Sequence, residues 1–274
     1  MPMTSIEREI VDSTGRPSLE LALDHLAAEH LASAKCLTTP VDIVKLAISL
    51  GVQSVTVADL PCDAALIPTG KAGYRVLLSR WASANRRRFS LAHELAHVIL
   101  QRIIPQTRSF ETRSVFMPPG AKAEERICDG LAAKLLMPTP LFSADVSDTA
   151  LSIDGLQRLA TKYSVSLAAA AWRYRDQRKD LDFGVASLSR NREGGDVSFG
   201  RVLVNFETSP LRPDSRARYN GESVPARAFA LGRVCRGWDW FRQRLLRRRL
   251  YFFVKPATRA SSSGLAILSK QELP

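Results

Sequence analysis

Five consecutive residues, His93-Glu94-Leu95-Ala96-His97, carry the strongest chemical signal in the chain. On a helix, positions i and i+4 lie one above the other, so two imidazoles on one face can grip one metal ion. Glu94 then projects beside that ion, where it can act as general base on a metal-bound water whose pKa the metal lowers to about 7. Leu91, Leu95, Val98 and Ile99 cover the rest of that helix with apolar groups, which sets the histidines at the edge of a buried surface.

A catalytic metal of this kind needs a third protein ligand and one open position. His25 and His30 are five apart, roughly 140° around a helix, so they cannot share a metal and read as residues of an amphipathic helix. The better source is AKAEERICDGLAAKLLMP, where Glu125 and Asp129 again stand at i and i+4. One can ligate the metal while the other orients a ligating histidine. Glu124 competes with Glu125 on spacing alone, and a solvated acidic helix start is the plain alternative for both. Cys128 could reach the metal as a thiolate or serve as a small buried helix residue.

The elements that must position these groups follow from periodicity and punctuation. Residues 17–34 and 40–50 read as helices, the second opened by Pro40 and Asp42 and closed by Gly51. Residues 51–60 and 74–79 read as strands that could form a small sheet, with 61–73 rich in turn residues between them. Helices are expected over 90–102 and 123–137, separated by an irregular stretch holding Pro105, Pro118, Pro119 and Gly120, and the second is stopped by Pro138 and Pro140. Two more helical segments run from 152 to 178, hinged at Val165–Ser166. Beyond 181, VASLS, RVLVNF, LYFFVKP and LAILS look like strands and RGWDWFRQRLLRR looks like a helix.

Composition narrows the class. With 274 residues, 45% hydrophobic and 24% charged, the chain can bury a core, which excludes wholesale disorder. No apolar run of 18 residues occurs and the N-terminus lacks a signal-peptide pattern, so no membrane span and no secretion are expected. Cys36, Cys62, Cys128 and Cys235 form no CxxC pair, which fits a reducing, cytoplasmic setting. The net charge of +12 is uneven: residues 181–274 hold 17 Lys and Arg against 8 Asp and Glu. That field suits an acidic partner or nucleic acid. Arg242, Arg244, Arg247, Arg248 and Arg249 follow Trp238, Trp240 and Phe241, a mixture suited to single-stranded nucleic acid, where bases stack and phosphates pair. A half-buried helix with its arginines in water would look the same.

RRRFSLAHELAHVIL followed by AEERICDGLAAKLLMP resembles the ImmA/IrrE family of bacterial and phage zinc metallopeptidases. The likeness extends upstream through PVDIVKLAISLGVQSVTVADLP and YRVLLS and downstream through LQRLATKYSVSLAAAAWRYR, roughly residues 38–178. It implies a gluzincin-like site in which His93, His97 and Glu125 bind Zn2+, Glu94 is the catalytic base and Asp129 supports the site. Ala96, Cys128 and Asp129 stand where the family often has Gly, Ala and Asn, small changes that leave the ligand set intact. Members typically cleave a helix-turn-helix transcriptional repressor, releasing stress-response, mobile-element or anti-phage genes, and some end in a GAF-like sensory domain.

The expected architecture is α+β: a mainly helical, zincin-like metallopeptidase core with a small β-sheet over 1–150, a helix-turn-helix-like segment over 151–180, and a small, basic α/β domain over 181–274 with a sensory role in view. Tyr163, Tyr174 and nearby arginines are candidates for stabilising an oxyanion. YRVLLS, 74–79, is the expected edge strand for an added substrate strand. The competing reading is a non-proteolytic regulator that keeps the metallopeptidase fold and acts by binding DNA or protein.

Overall fold

A computed structural model describes residues 3–70, 73–104, 121–181, 183–191, 196–204, 218–219, 221–242, 247–256, 263–269 and 272. The chain divides into two compact units, Met1–Phe142 with Thr161–Ser166, and Ser143–Ala160 with Leu167–Pro274.

The first unit opens with three helices whose starts are written in their caps. Thr4 begins α1 (Ser5–Thr14) with a capping box: its hydroxyl accepts from the Glu7 amide at 3.4 Å, and the Glu7 carboxylate accepts from the Thr4 amide at 2.7 Å. Ser18 caps α2 (Leu19–Ser33), and Asp42 caps α3 (Ile43–Ser49) through the Lys45 amide. Gly51, at φ 85°, turns the chain out of α3 in a conformation that disfavours a side chain.

Three strands follow: β1 (Val52–Ala58), β2 (Ala64–Pro68) and β3 (Tyr74–Ser79), in the order β1-β3-β2. β3 runs parallel to β1 and antiparallel to β2. The expectation that 74–79 is a free edge is therefore overturned, because β3 is hydrogen-bonded on both sides and the edges are β1 and β2. β2 hides in the sequence as AALIP inside a turn-rich stretch, and its Pro68 is tolerated because the strand is an edge. Ala64 and Leu66 of β2 and Val76 and Leu78 of β3 are buried, and both strands pack against α4 (Ala84–Ile103).

The Ser83 side chain accepts from the Arg86 amide, starting α4 six residues before the expected Ser90. α5 (Ala121–Leu136) packs on α4 and α2 through Leu131, Ala132 and Leu135, all 0% exposed. An ion pair pins α5 to α2: Lys134 Nζ donates to Asp24 Oδ1 at 2.6 Å, and Thr139 donates to the same oxygen. The irregular stretch expected between α4 and α5 lies outside the described residues. Pro138 ends α5 as expected, but Pro140 sits in the first turn of α6 (Thr139–Ser147), where a missing amide costs nothing.

α7 (Ile153–Tyr163) and α8 (Leu167–Gln177) form the expected helical pair, broken at Ser164 with φ 52°. Beyond them, β4 (Phe183–Arg190), β5 (Val197–Val204), α9 (Val224–Leu231), β6 (Cys235–Arg242), β7 (Arg247–Pro256) and β8 (Ser263–Ser269) build an antiparallel sheet in the order β5-β4-β8-β7-β6. Leu188, Phe252, Val254 and Leu268 pack with Tyr219 and Phe229 in one core cluster, and the alternating Phe183, Val185, Phe253 and Ile267 are buried as well.

The expected helix RGWDWFRQRLLRR is instead β6 and the start of β7. Its aromatic residues suit a pleated surface, and YFFV supplies cross-strand partners. Trp238 sits opposite Tyr251 with ring centroids 5.6 Å apart, edge to face. Arg242 lies on β6, Arg247, Arg248 and Arg249 lie on β7, and Arg244 is outside the described residues. The chain as a whole is a mixed α and β fold. Among the described residues, no helix is long and apolar enough to cross a membrane.

Lys134 is 6% exposed and donates to the carboxylate of Asp24. Asp24→Ala is expected to cost about 3–5 kcal/mol of stability, and Lys134→Met distinctly less, because the first takes a carboxylate from a nearly buried ammonium while the second leaves Asp24, 22% exposed, within reach of water and of Thr139. Urea denaturation of the two variants decides this; equal losses would mean the pair is not what holds α5 to α2.

Candidate metal centre

Four ring nitrogens and three carboxylates meet where α4 faces α5. His93 and His97, one turn apart on α4, bring their Nε2 atoms to 3.2 Å from each other, with ring centroids 4.9 Å apart. Glu125 of α5 reaches both, with Oε2 3.1 Å from His93 Nε2 and Oε1 3.6 Å from His97 Nε2. Asp129 lies on the far side of the first ring, Oδ1 to His93 Nδ1 at 2.9 Å. Glu124 lies on the far side of the second, Oε1 to His97 Nδ1 at 3.2 Å.

Helix geometry explains this division. Glu125 and Asp129 share one stripe of α5 and meet His93; Glu124 and Cys128 share the neighbouring stripe and meet His97, with Cys128 Sγ 3.4 Å from Nδ1. Spacing alone left Glu124 and Glu125 level as third ligand, because adjacent helix residues differ by only about 100° and either stripe could face α4. In the structure Glu125 stands with the two Nε2 atoms and Glu124 does not. Cys128 is on the Nδ1 side of His97 as well. Burial pushes its thiol up, and Glu124, Glu125, Asp129 and Glu94 push it further.

The donor set fits a tetrahedral cation. His93, His97 and Glu125 offer ligand atoms that all lie within 4.8 Å of one another. The two Nε2 atoms stand 3.2 Å apart, and Glu125 approaches them through different oxygens at 3.1 and 3.6 Å, on the scale of the roughly 3.3 Å edge of a tetrahedron with metal–ligand bonds near 2.05 Å. Burial by itself lowers the His93 imidazole, but its hydrogen bonds with Asp129 and Glu125 outweigh that and raise it to about 9. The site thus attracts positive charge, which a proton supplies when nothing else does. Glu94 is 3% exposed and His97 is 7% exposed, whereas Glu125 and Asp129 leave the site open toward solvent at 36% and 58%.

Two other expected participants are engaged within their own surroundings. Tyr163 is fully buried edge-on against Phe142, and the Tyr174 hydroxyl donates to the Thr149 carbonyl at 2.7 Å, so neither is placed as an open oxyanion donor. Phe89, by contrast, stands one turn before His93 with ring centroids 6.4 Å apart. Arg86 lies over its ring at 5.5 Å and is held by Asp63 through two hydrogen bonds of 2.9 and 2.6 Å.

A helix that offers two histidines with a glutamate beside the first, closed by a carboxylate from the following helix, is the metal-centre pattern of HExxH peptidases. Residues 43–175 match the family model described as the IrrE N-terminal-like domain, peptidase family M78. No curated protein matches the sequence. Among solved structures, a Mycobacterium tuberculosis transcriptional regulator is similar in fold, with a TM-score of 0.60 at 17% identity over 98% of this chain and 81% of that one.

If the carboxylate behind His93 orients that ring, Asp129→Ala should weaken zinc binding about 10–100-fold while Cys128→Ala leaves it unchanged. Competition with a chromophoric chelator measures both. Comparable losses in the two variants would put the sulfur back among the ligands.

Proposed function

We propose that the chain is a zinc-dependent endopeptidase that cuts a helix-turn-helix transcriptional repressor and so relieves repression. The observation that carries this reading is the meeting of His93 Nε2, His97 Nε2 and the Glu125 carboxylate, with Glu94 beside His93 on the same helix. Zinc held by those three residues would supply a Lewis acid for the scissile carbonyl and an acidified water. Glu94 takes the proton of the attacking water and returns it to the leaving amine. Its burial keeps that carboxylate out of bulk solvent, and Asp129 fixes the His93 ring. The substrate backbone is taken up as an added strand on β2, an open edge of a sheet that packs on α4.

The repressor as substrate rests on the family likeness and on the fold shared with a transcriptional regulator. In this reading residues 1–150 do the chemistry, 151–180 form the helical pair, and 181–274 receive the signal. The four cysteines are free, in keeping with a reducing cytoplasm, where the repressor also resides. Glu94→Gln should retain zinc and fold normally yet lose about 10²–10⁴-fold in cleavage rate of the neighbouring repressor, scored by fragments on a gel. A Glu94→Gln protein that still complements in the cell would favour the non-proteolytic regulator.

A second partner is favoured by the hairpin of β6 and β7. Its register pairs Trp240 with Arg249, Phe241 with Arg248 and Arg242 with Arg247, gathering these arginines at one end of the strand pair. Trp238 on the same edge strand is 41% exposed. This is the composition of a surface for single-stranded nucleic acid. Single-stranded DNA should bind at low salt with an affinity that falls steeply as salt rises, and reversing Arg247, Arg248 and Arg249 to Glu should abolish it. Fluorescence anisotropy tests this; salt-independent binding would argue against phosphate contacts.

A further inference from the structure

Each imidazole at the centre has two nitrogens to satisfy, and the far side of His97 is the less obvious of the two. His93 Nδ1 has Asp129 at 2.9 Å, in a position open to solvent. His97 is more deeply placed, its side chain 7% exposed against 14% for His93, so water offers it less help. Its Nδ1 meets the Glu124 carboxylate at 3.2 Å, with the Cys128 sulfur also near that atom at 3.4 Å. A thiol is a weak acceptor and a carboxylate a strong one.

We propose that Glu124 is a positioning residue for the metal centre, doing for His97 what Asp129 does for His93. By accepting the Nδ1 proton it fixes the tautomer that turns the His97 Nε2 lone pair toward Glu125 and His93. It also locks the ring against rotation about its own axis. Less than one and a half turns of α5 thereby carry three carboxylates with three distinct tasks: Glu125 toward both Nε2 atoms, Asp129 behind His93 and Glu124 behind His97. The inference rests on the metal-site reading but not on peptide cleavage, and its test is read in zinc affinity.

Zinc dissociation constants for Glu124→Ala, Glu124→Gln, Cys128→Ala and His93→Ala are measured by chelator competition on the full chain. Thermal melts of the zinc-free proteins run alongside. Glu124→Ala is expected to weaken zinc about 10–100-fold. Glu124→Gln, which keeps an oxygen acceptor, is expected to recover most of that loss, and Cys128→Ala to cost less than about twofold. Nitrogen-15 spectra of the zinc-loaded protein should show a protected His97 Nδ1–H in the parent and in Glu124→Gln, and an exchanging one in Glu124→Ala. A merely structural Glu124 would lower the melting temperature without moving zinc affinity or that resonance. Unchanged affinity in Glu124→Ala, or no recovery with Gln, overturns the assignment while His93→Ala still loses zinc. If His93→Ala binds zinc like the parent, the metal site itself is wrong and this assignment falls with it.

Discussion

Everything chemical in this molecule depends on α5 being held against α4 at a fixed rotation. A turn of about 100° in α5 would exchange the stripe bearing Glu125 and Asp129 for the one bearing Glu124 and Cys128, and the Nε2 atoms would face different groups. The apolar faces set that rotation. Leu131, Ala132 and Leu135 on α5 are 0% exposed, and burying each leucine contributes on the order of 1.5–3 kcal/mol. Opposing them, Glu124, Glu125 and Asp129 crowd three carboxylates around two rings. The apolar contacts fix the geometry, the like charges strain against it, and a cation at the centre removes the conflict.

The parts of this arrangement that live on one helix were legible before any coordinates. The i, i+4 spacing of His93 and His97 gives a shared face by geometry alone, and the same holds for Glu125 with Asp129. The rest needed a second element. Glu124 and Glu125 are adjacent, and only the packing of α5 on α4 separates their tasks; without it, Glu124 is a rival ligand and not a group behind His97. The family likeness chose the residue that the structure places with the two Nε2 atoms, although spacing could not.

The same boundary between local and non-local information runs through the fold. Long periodic helices and the strands at 51–60 and 74–79 were readable, but strand order was not, since β3 lies between β1 and β2 only because chain-distant hydrogen bonds put it there. β2 was hidden by Pro68, and α6 by Pro140, residues that stop an element in its interior and are harmless at an edge or in a first turn. In the second unit, the arginines of RGWDWFRQRLLRR mimic the polar face of a helix. What makes the segment a strand is its partner: Trp238, Asp239 and Trp240 align with Tyr251, Leu250 and Arg249, nine to thirteen residues on.

An open strand edge is normally a hazard that proteins shorten, charge or break with proline. β2 carries such restraint, being five residues long and closed by Pro68, and Asp63 immediately before it is engaged by Arg86 of α4. That ion pair ties the start of the edge to the helix that bears the histidines, with Phe89 between Arg86 and His93. Pairing with β3 and packing on α4 do most to fix the edge relative to the histidines, and this exposed ion pair adds a little. A peptide added there would meet a backbone fixed relative to His93, which is what hydrolysis at one chosen bond requires, since an error of one residue in an extended strand displaces the chain by about 3.3 Å.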